Sequence, residues 1–310
     1  MIFKRTLATV LASVFLMAAS PAISQKMIRL DGDKCASGLR MLASLIDATI
    51  TPASPPRQFA GKCQASGVVV SDISNDIELR FKQLRWNSGG LTPLIEELLP
   101  VQLDIDIKGI TLQNAPKNDP VWGFIRQQVS AARSVDSEIR WSFQAGERKL
   151  DLNSLMLDFG NGNRLTAAIK LINVSPKLLS QPEVFGLAIA ASDATVSIEG
   201  NRRFGDGIVQ AILASVPATD LPIEGMSELR SRLRQAARDN YQGLLDSASW
   251  GKLGQMIDDI PHPSGLVSLQ FQSETGILLL RLAAVKTSIG VKKLLDGAHV
   301  NFDYSPVGSG

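Results

Sequence analysis

Few side chains in this 310-residue chain are suited to covalent, acid–base or metal chemistry: two cysteines, two histidines and a scatter of carboxylates. Cys35 and Cys63 have neither a CxxC spacing nor histidines at matching intervals. Metal ligation and a redox couple are therefore poorly supported, and a Cys35–Cys63 disulfide is the natural inference. Such a bond closes a loop of about 29 residues and contributes roughly 3 kcal/mol in the chain-entropy account.

His262 in "DDIPHPSG" and His299 in "GAHVNF" have no partner at triad or ligand spacing. Asp258 and Asp259 lie close enough to His262 to suggest a divalent cation, but Pro261 and Pro263 make the segment a loop, which favours a solvated helix end. Serines are frequent, yet no GxSxG elbow or SxxK set is present, so nucleophilic catalysis has no support. "NSGG" and "FGDG" open neither a GxGxxG nor a Walker loop. Glu96 with Glu97, and Asp104 with Asp106, have the residue types of a glycosidase pair. Side by side on one helix or strand they read instead as solubilising charges. The expectation is a non-enzyme without metal or cofactor.

The elements around these residues are mostly strands. "IELRFKQLRW" alternates Ile77, Leu79 and Phe81 with polar neighbours, and "VQLDIDIKGITL" sets Val101, Leu103, Ile105 and Ile107 against Asp104, Asp106 and Lys108. Period-two alternation is the signature of a half-buried antiparallel strand with one wet and one dry face. The same grammar recurs in "SEIRWSFQA", "RKLDLNSLMLDF", "RLTAAIKLINV", "FGLAIAASDATVSIE", "GLVSLQF" and "GILLLRLAAV", with "FGNGN" as a hairpin turn. Helical spacing appears over 34–50, where three prolines in 51–56 end it, and over 91–99, 120–133, 207–215 and 289–296. A longer helical region covers 224–260, with an apolar stripe through Met226, Leu229, Leu233 and Ala237 and an arginine row at Arg230, Arg234 and Arg238. "TVSIEGNRRFGDGIVQAILA" reads as strand, glycine turn and helix, and "ELRFKQLRWNSGGLTPLIEELL" repeats that pattern; an internal repeat and ordinary β-turn-α chemistry both account for it. The expected class is α+β: a β-rich, curved antiparallel sheet, as a meander or half-barrel, with short covering helices and one longer helical hairpin.

The start of the chain has Lys4 and Arg5, an apolar run over 6–19 and the small-x-small site Ala22-Ile23-Ser24. This is the layout of a secretory signal peptide, and the run is shorter than the roughly 20 residues of a spanning helix. The expected organisation is a leader over 1–24, an N-terminal helix and disulfide-tied loop over 25–65, and a β-rich domain over 66–310 with a helical insertion at 224–260. The expected location is the periplasm, with no stable membrane span after cleavage. Losing Lys4 and Arg5 from 32 cations leaves 30 against 30 acids, so no global basic field points to nucleic acid.

Only 5% of residues are aromatic, so an internal groove would be walled by aliphatic carbons. Strand faces and short apolar helices admit two arrangements: a closed dry core, or an apolar groove that takes an acyl chain at about 0.8 kcal/mol per buried methylene. The groove candidates are Leu103, Ile105, Ile107, Leu165, Ile169, Leu187, Ile189, Val196 and Ile208. The arginine row Arg230, Arg234 and Arg238 either contacts anionic headgroups or is a solvated face beside Glu228 and Asp239.

The stretches "LAIAASDATVSIEGNRRFGDGIVQAILA", "ELRSRLRQAARDNYQGLLD" and "LGQMIDDIPHPSGLVSLQF" resemble a group of secreted proteobacterial proteins that join a signal peptide to a β-rich body. Over roughly 64–302 the pattern of amphipathic strands is also similar to that of AsmA-like envelope proteins. In some AsmA-like members such strands form lipid-conducting grooves. Those proteins usually carry an N-terminal membrane anchor and run longer, whereas this chain is expected to be cleaved free. The resemblance carries no catalytic residue onto this sequence. Alternating aliphatic strands without catalytic clusters lead to the expectation of a soluble periplasmic, non-catalytic binding protein for lipid or another apolar envelope component, with an envelope structural or adaptor protein that binds another protein as the alternative.

Overall fold

The computed structural model describes residues 34–45, 48–72, 77–87, 98–114, 120–132, 134–178, 181–207, 225–241, 243–279 and 297–307, with positions 93 and 295. The leader over 1–24, the helices expected at 91–99 and 289–296, and Ile208 with the rest of the helix expected at 207–215 lie outside them, apart from isolated positions at their margins.

Among the described residues the chain forms one open antiparallel sheet of 11 strands. The long strands are β3 (Lys62–Asp72), β4 (Ile77–Asn87), β5 (Gln102–Asn114), β6 (Val135–Gln144), β7 (Lys149–Gly160), β8 (Asn163–Ile172), β9 (Ala190–Gly200), β10 (Gly265–Leu278) and β11 (His299–Pro306). They lie side by side in chain order, the meander that the alternating segments predict. Two short strands, β1 (Thr49–Thr51) and β2 (Arg57–Phe59), both pair with β3 and finish that side. The β7–β8 turn falls on "FGNGN": Asn161 and Gly162 both take positive φ, as a type I′ hairpin requires.

Among the described residues, the helices bounded at both ends are α1 (Lys34–Leu45), α2 (Pro120–Ala132), α3 (Pro182–Phe185), α4 (Met226–Tyr241) and α5 (Ser247–Asp259). The helical region expected over 224–260 holds two helices, α4 and α5. "FGLAIAASDATVSIE" is a strand only from Ala190; its first part is α3 and a 3-10 turn over Gly186–Ala188. Leu187 sits in that turn with 55% of its surface exposed, so it is not a strand-face residue. "GLVSLQF" and the start of "GILLLRLAAV" merge into the single strand β10, with a register shift between Gln272 and Ile277.

Cys35 on α1 and Cys63 on β3 are disulfide-bonded, with Cα atoms 5.4 Å apart. The bond fixes α1 over one end of the sheet, where Leu39, Met41 and Leu42 pack with Val68, Phe81, Leu84 and Trp86. Because β3 runs through position 65, the boundary read there falls inside a strand, and α1 shares its core with the sheet. At the other end α5 places Leu253 and Ile257 against Phe302 and Tyr304 of β11. Opening the disulfide should lower unfolding free energy by about 3 kcal/mol. Denaturation with and without reductant checks this, and superimposable curves would contradict it.

Candidate functional site

Strand register converts the alternation into a surface. Reading across the ladders gives one apolar row: Cys63, Trp86, Ile105, Ile139, Leu155, Ala167, Val196, Leu269, Phe302. It crosses every strand from β3 to β11 without a polar side chain. A second row runs Ala65, Leu84, Ile107, Ser137, Leu157, Leu165, Ile198, Val267, Tyr304. A third runs Leu103, Trp141, Leu152, Ile169, Ala194, Phe271, Val300. Side chains at period two share a face, so the three rows make one continuous apolar sheet face.

Of the groove candidates, Leu103, Ile105, Ile107, Leu165, Ile169 and Val196 all lie in these rows. Ile189 precedes β9 and is buried with Leu171 and Val174. Leu187 is excluded by its exposed turn, and Ile208 lies outside the described residues.

Cover is uneven along the face. The β3–β5 end is buried under α1, and the β11 end under α5, where Leu233 and Ala237 of α4 add to the cluster. Val129 and Ala132 of α2, together with Phe204, close over Val135 and Phe159, the two phenyl rings 5.3 Å apart. Leu99, Val174 and Leu178 close over Phe143, Ile169 and Leu171. Between these clusters, Leu155, Ala167 and Val196 stay half-buried, flanked by half-buried Ile139 against the α1 cluster and Leu269 against the α5 cluster. The band from β6 to β10 spans four strand spacings, about 19 Å.

The opposite face is polar and cross-linked. Arg140 pairs with Asp106, and lies 3.4 Å from Glu138 and 3.8 Å from Asp104, while Lys62 reaches Asp106 at 3.3 Å. Burial pushes the Asp106 carboxyl up, but Arg140 and Lys62 outweigh it and hold it below the usual carboxylate range. Asp104 and Asp106 are therefore cross-strand partners, beyond the solubilising role their spacing suggests. Further along this face a shallow cavity of about 250 Å³ is lined chiefly by Gln144, Lys149, Asp151, Lys170 and Ser192. It does not coincide with the apolar band.

The segment read as a solvated helix end, "DDIPHP", is instead a junction. Asp258 pairs with Arg234 of α4, and Asp259 accepts a 2.6 Å hydrogen bond from the Tyr304 hydroxyl. His262 Nδ1 lies 2.7 Å from Asp206 Oδ1 in the helical segment 202–207. Arg230 donates to the Ile260 carbonyl at 2.7 and 3.0 Å. Each group that suggested a cation site thus has its own protein partner, and two of the three row arginines fasten α4 to the end of α5; Arg238 is exposed. Gly205 is required beside this junction, because a Cβ there would lie 1.8 Å from the Pro263 carbonyl oxygen. Period and spacing missed the cluster because its partners are 24–56 positions apart.

Among the described residues, no helix is long and apolar enough to cross a membrane, and no group of three His, Cys, Asp or Glu side chains could hold a metal ion. Burial, then the bond to Asp259, pushes the Tyr304 phenol up to about 12. A raised pKa favours the neutral phenol in the folded state. Its stabilising contribution is complete below about pH 10, the unfolded value, and is lost as pH rises towards 12. The wild-type protein should lose roughly 2–3 kcal/mol across that window from this group, and Tyr304→Phe should remove that component. Urea titrations from neutral to alkaline pH check this; equal alkaline slopes in both proteins would contradict it. No family model matches the chain, and no curated protein matches its sequence.

Proposed function

We propose that this is a non-catalytic periplasmic protein that binds lipid or another apolar envelope component on the apolar face of its sheet. The observation that carries the reading is the half-buried band Ile139, Leu155, Ala167, Val196 and Leu269 at the centre of a face whose ends are packed under helices. Aliphatic side chains in register give an acyl chain a continuous wall without polar groups, and each methylene buried there contributes about 0.8 kcal/mol. A disulfide fits an oxidising compartment. The likeness to AsmA-like envelope proteins read from the sequence points the same way.

Pairing through a sheet edge, one route for the adaptor alternative, meets an obstacle at β11. Ser249 Oγ accepts from the Phe302 amide at 3.0 Å, Lys252 Nζ donates to the Tyr304 carbonyl at 3.1 Å, and Leu245 bridges Val300. An incoming strand would have to displace all three.

Gently purified wild-type protein should carry lipid by native mass spectrometry and bind a fluorescent fatty acid. Val196→Asp, on the apolar face, should weaken that binding roughly tenfold or more, whereas Thr195→Asp, its neighbour on the polar face, should leave it unchanged. A lipid-free protein that binds no fatty acid, or equal effects of the two substitutions, would sink the reading.

A further inference from the structure

The apolar face is divided more finely than its rows alone suggest. On β7, β8 and β9 the middle row is Leu155, Ala167 and Val196. Towards one end of these strands the next row, Leu157, Leu165 and Ile198, belongs to the cluster closed by Phe204. Towards the other end, Leu152, Ile169 and Ala194 belong to the cluster closed by Leu99 and Val174. Across the strands, Ile139 on β6 packs against the α1 cluster and Leu269 on β10 against the α5 cluster. Among the described residues, the middle row is thus taken up by none of the buried clusters and is bounded by one on every side.

Its shape is that of a trough one row wide. Side chains two apart on a strand are separated by roughly 7 Å, and Ile139 and Leu269 stand four strand spacings apart, about 19 Å. Ala167, the smallest side chain of the row, sits at the midpoint between Leu155 and Val196. Beside it β7 carries one residue more than either neighbouring strand, a bulge that sets Leu155 three positions from Leu152 rather than two.

These dimensions select the occupant. The strip is on the order of 130 Å², against about 800 Å² per partner in a stable protein interface, so a second copy of the chain or another protein finds too little surface there. One extended hydrocarbon chain does fit, because an acyl chain in one bilayer leaflet is about 15 Å long, half of the hydrocarbon core. Two chains side by side need a second row, and both neighbouring rows are already packed. Movement along the face is blocked as well: the Cys35–Cys63 bond holds α1 at one end, and Leu253 and Ile257 of α5 pack on β11 at the other.

We infer that the trough takes one fatty acid per protein, an inference that rests on the lipid reading above and narrows it to a single acyl chain. The chain lies across β7, β8 and β9 between Ile139 and Leu269. Its carboxylate turns to solvent, since the row offers it no polar partner. The ligand is held in place and is not passed along the sheet.

Titration of the purified chain with a homologous series of saturated fatty acids, kept below their aggregation concentrations, tests this. Affinity should rise about fourfold per added methylene and level off once the chain reaches about 15–19 Å. Native mass spectrometry should show one fatty acid per protein, and a two-chain phosphatidylglycerol should compete roughly tenfold less well or worse. Ala167→Phe keeps the row apolar but fills its midpoint; it should weaken long-chain binding roughly tenfold and move the plateau to shorter chains. Ala168→Phe, on the opposite face, should change neither. Melting temperatures identify a variant that has lost its fold, and the wild-type length series and stoichiometry stand without either variant. Wild-type protein that binds no fatty acid of any length would overturn lipid binding altogether. Fatty-acid binding without a plateau, with two or more per protein, or matched by the two-chain lipid would leave lipid binding in place and overturn the single-chain trough.

Discussion

A single sheet with one apolar face is the constraint on which the other features depend. Side chains in register from β3 to β11 turn that face into a surface that water penalises along its whole width. The chain answers at the two ends by covalent and ionic fastening. Cys35–Cys63 holds α1 over β3 and β4, and the ties of α4 to the end of α5, together with Tyr304–Asp259, hold the second cover over β10 and β11. What these covers leave at the centre is the half-buried band, and every functional argument begins there.

Electrostatics on the other face does complementary work. Lys62, Asp106, Arg140 and Glu138 form a chain of charges across β3 to β6: Arg140 meets Asp106 on the adjacent strand and Glu138 on its own, and Lys62 reaches Asp106 across β4. Exposed ion pairs contribute little singly, so their main effect here is on register. A one-residue slip would place these charges on the apolar face and the aliphatics in water. The two faces thus enforce the same alignment from opposite sides.

Much of the sheet was legible in the sequence because period-two alternation is a local signal. Six of the groove candidates fall on one face for that reason, and "FGNGN" supplies its own turn. Strand β3 was less legible: "QASGVVVSD" is a run rather than an alternation, and its assignment depends on its pairing with β4. Leu187 was misplaced because "FGLAIAASDATVSIE" is uniformly apolar at its start, and apolar runs do not distinguish an exposed turn from a strand. The "DDIPHP" junction was illegible for a different reason. A carboxylate beside a histidine looks the same in sequence whether it faces solvent or a tyrosine 45 positions away.

The central claim is that the band through Ala167 and Val196 contacts apolar ligand in the envelope. Site-specific photo-crosslinking in cells tests it most directly, with a photoreactive amino acid at Ala167 or Val196 on the apolar face and at Thr166 or Thr195 on the polar face. The account predicts lipid adducts from the first pair and none from the second. Protein adducts alone from the apolar positions, or lipid adducts equally from both faces, would contradict it.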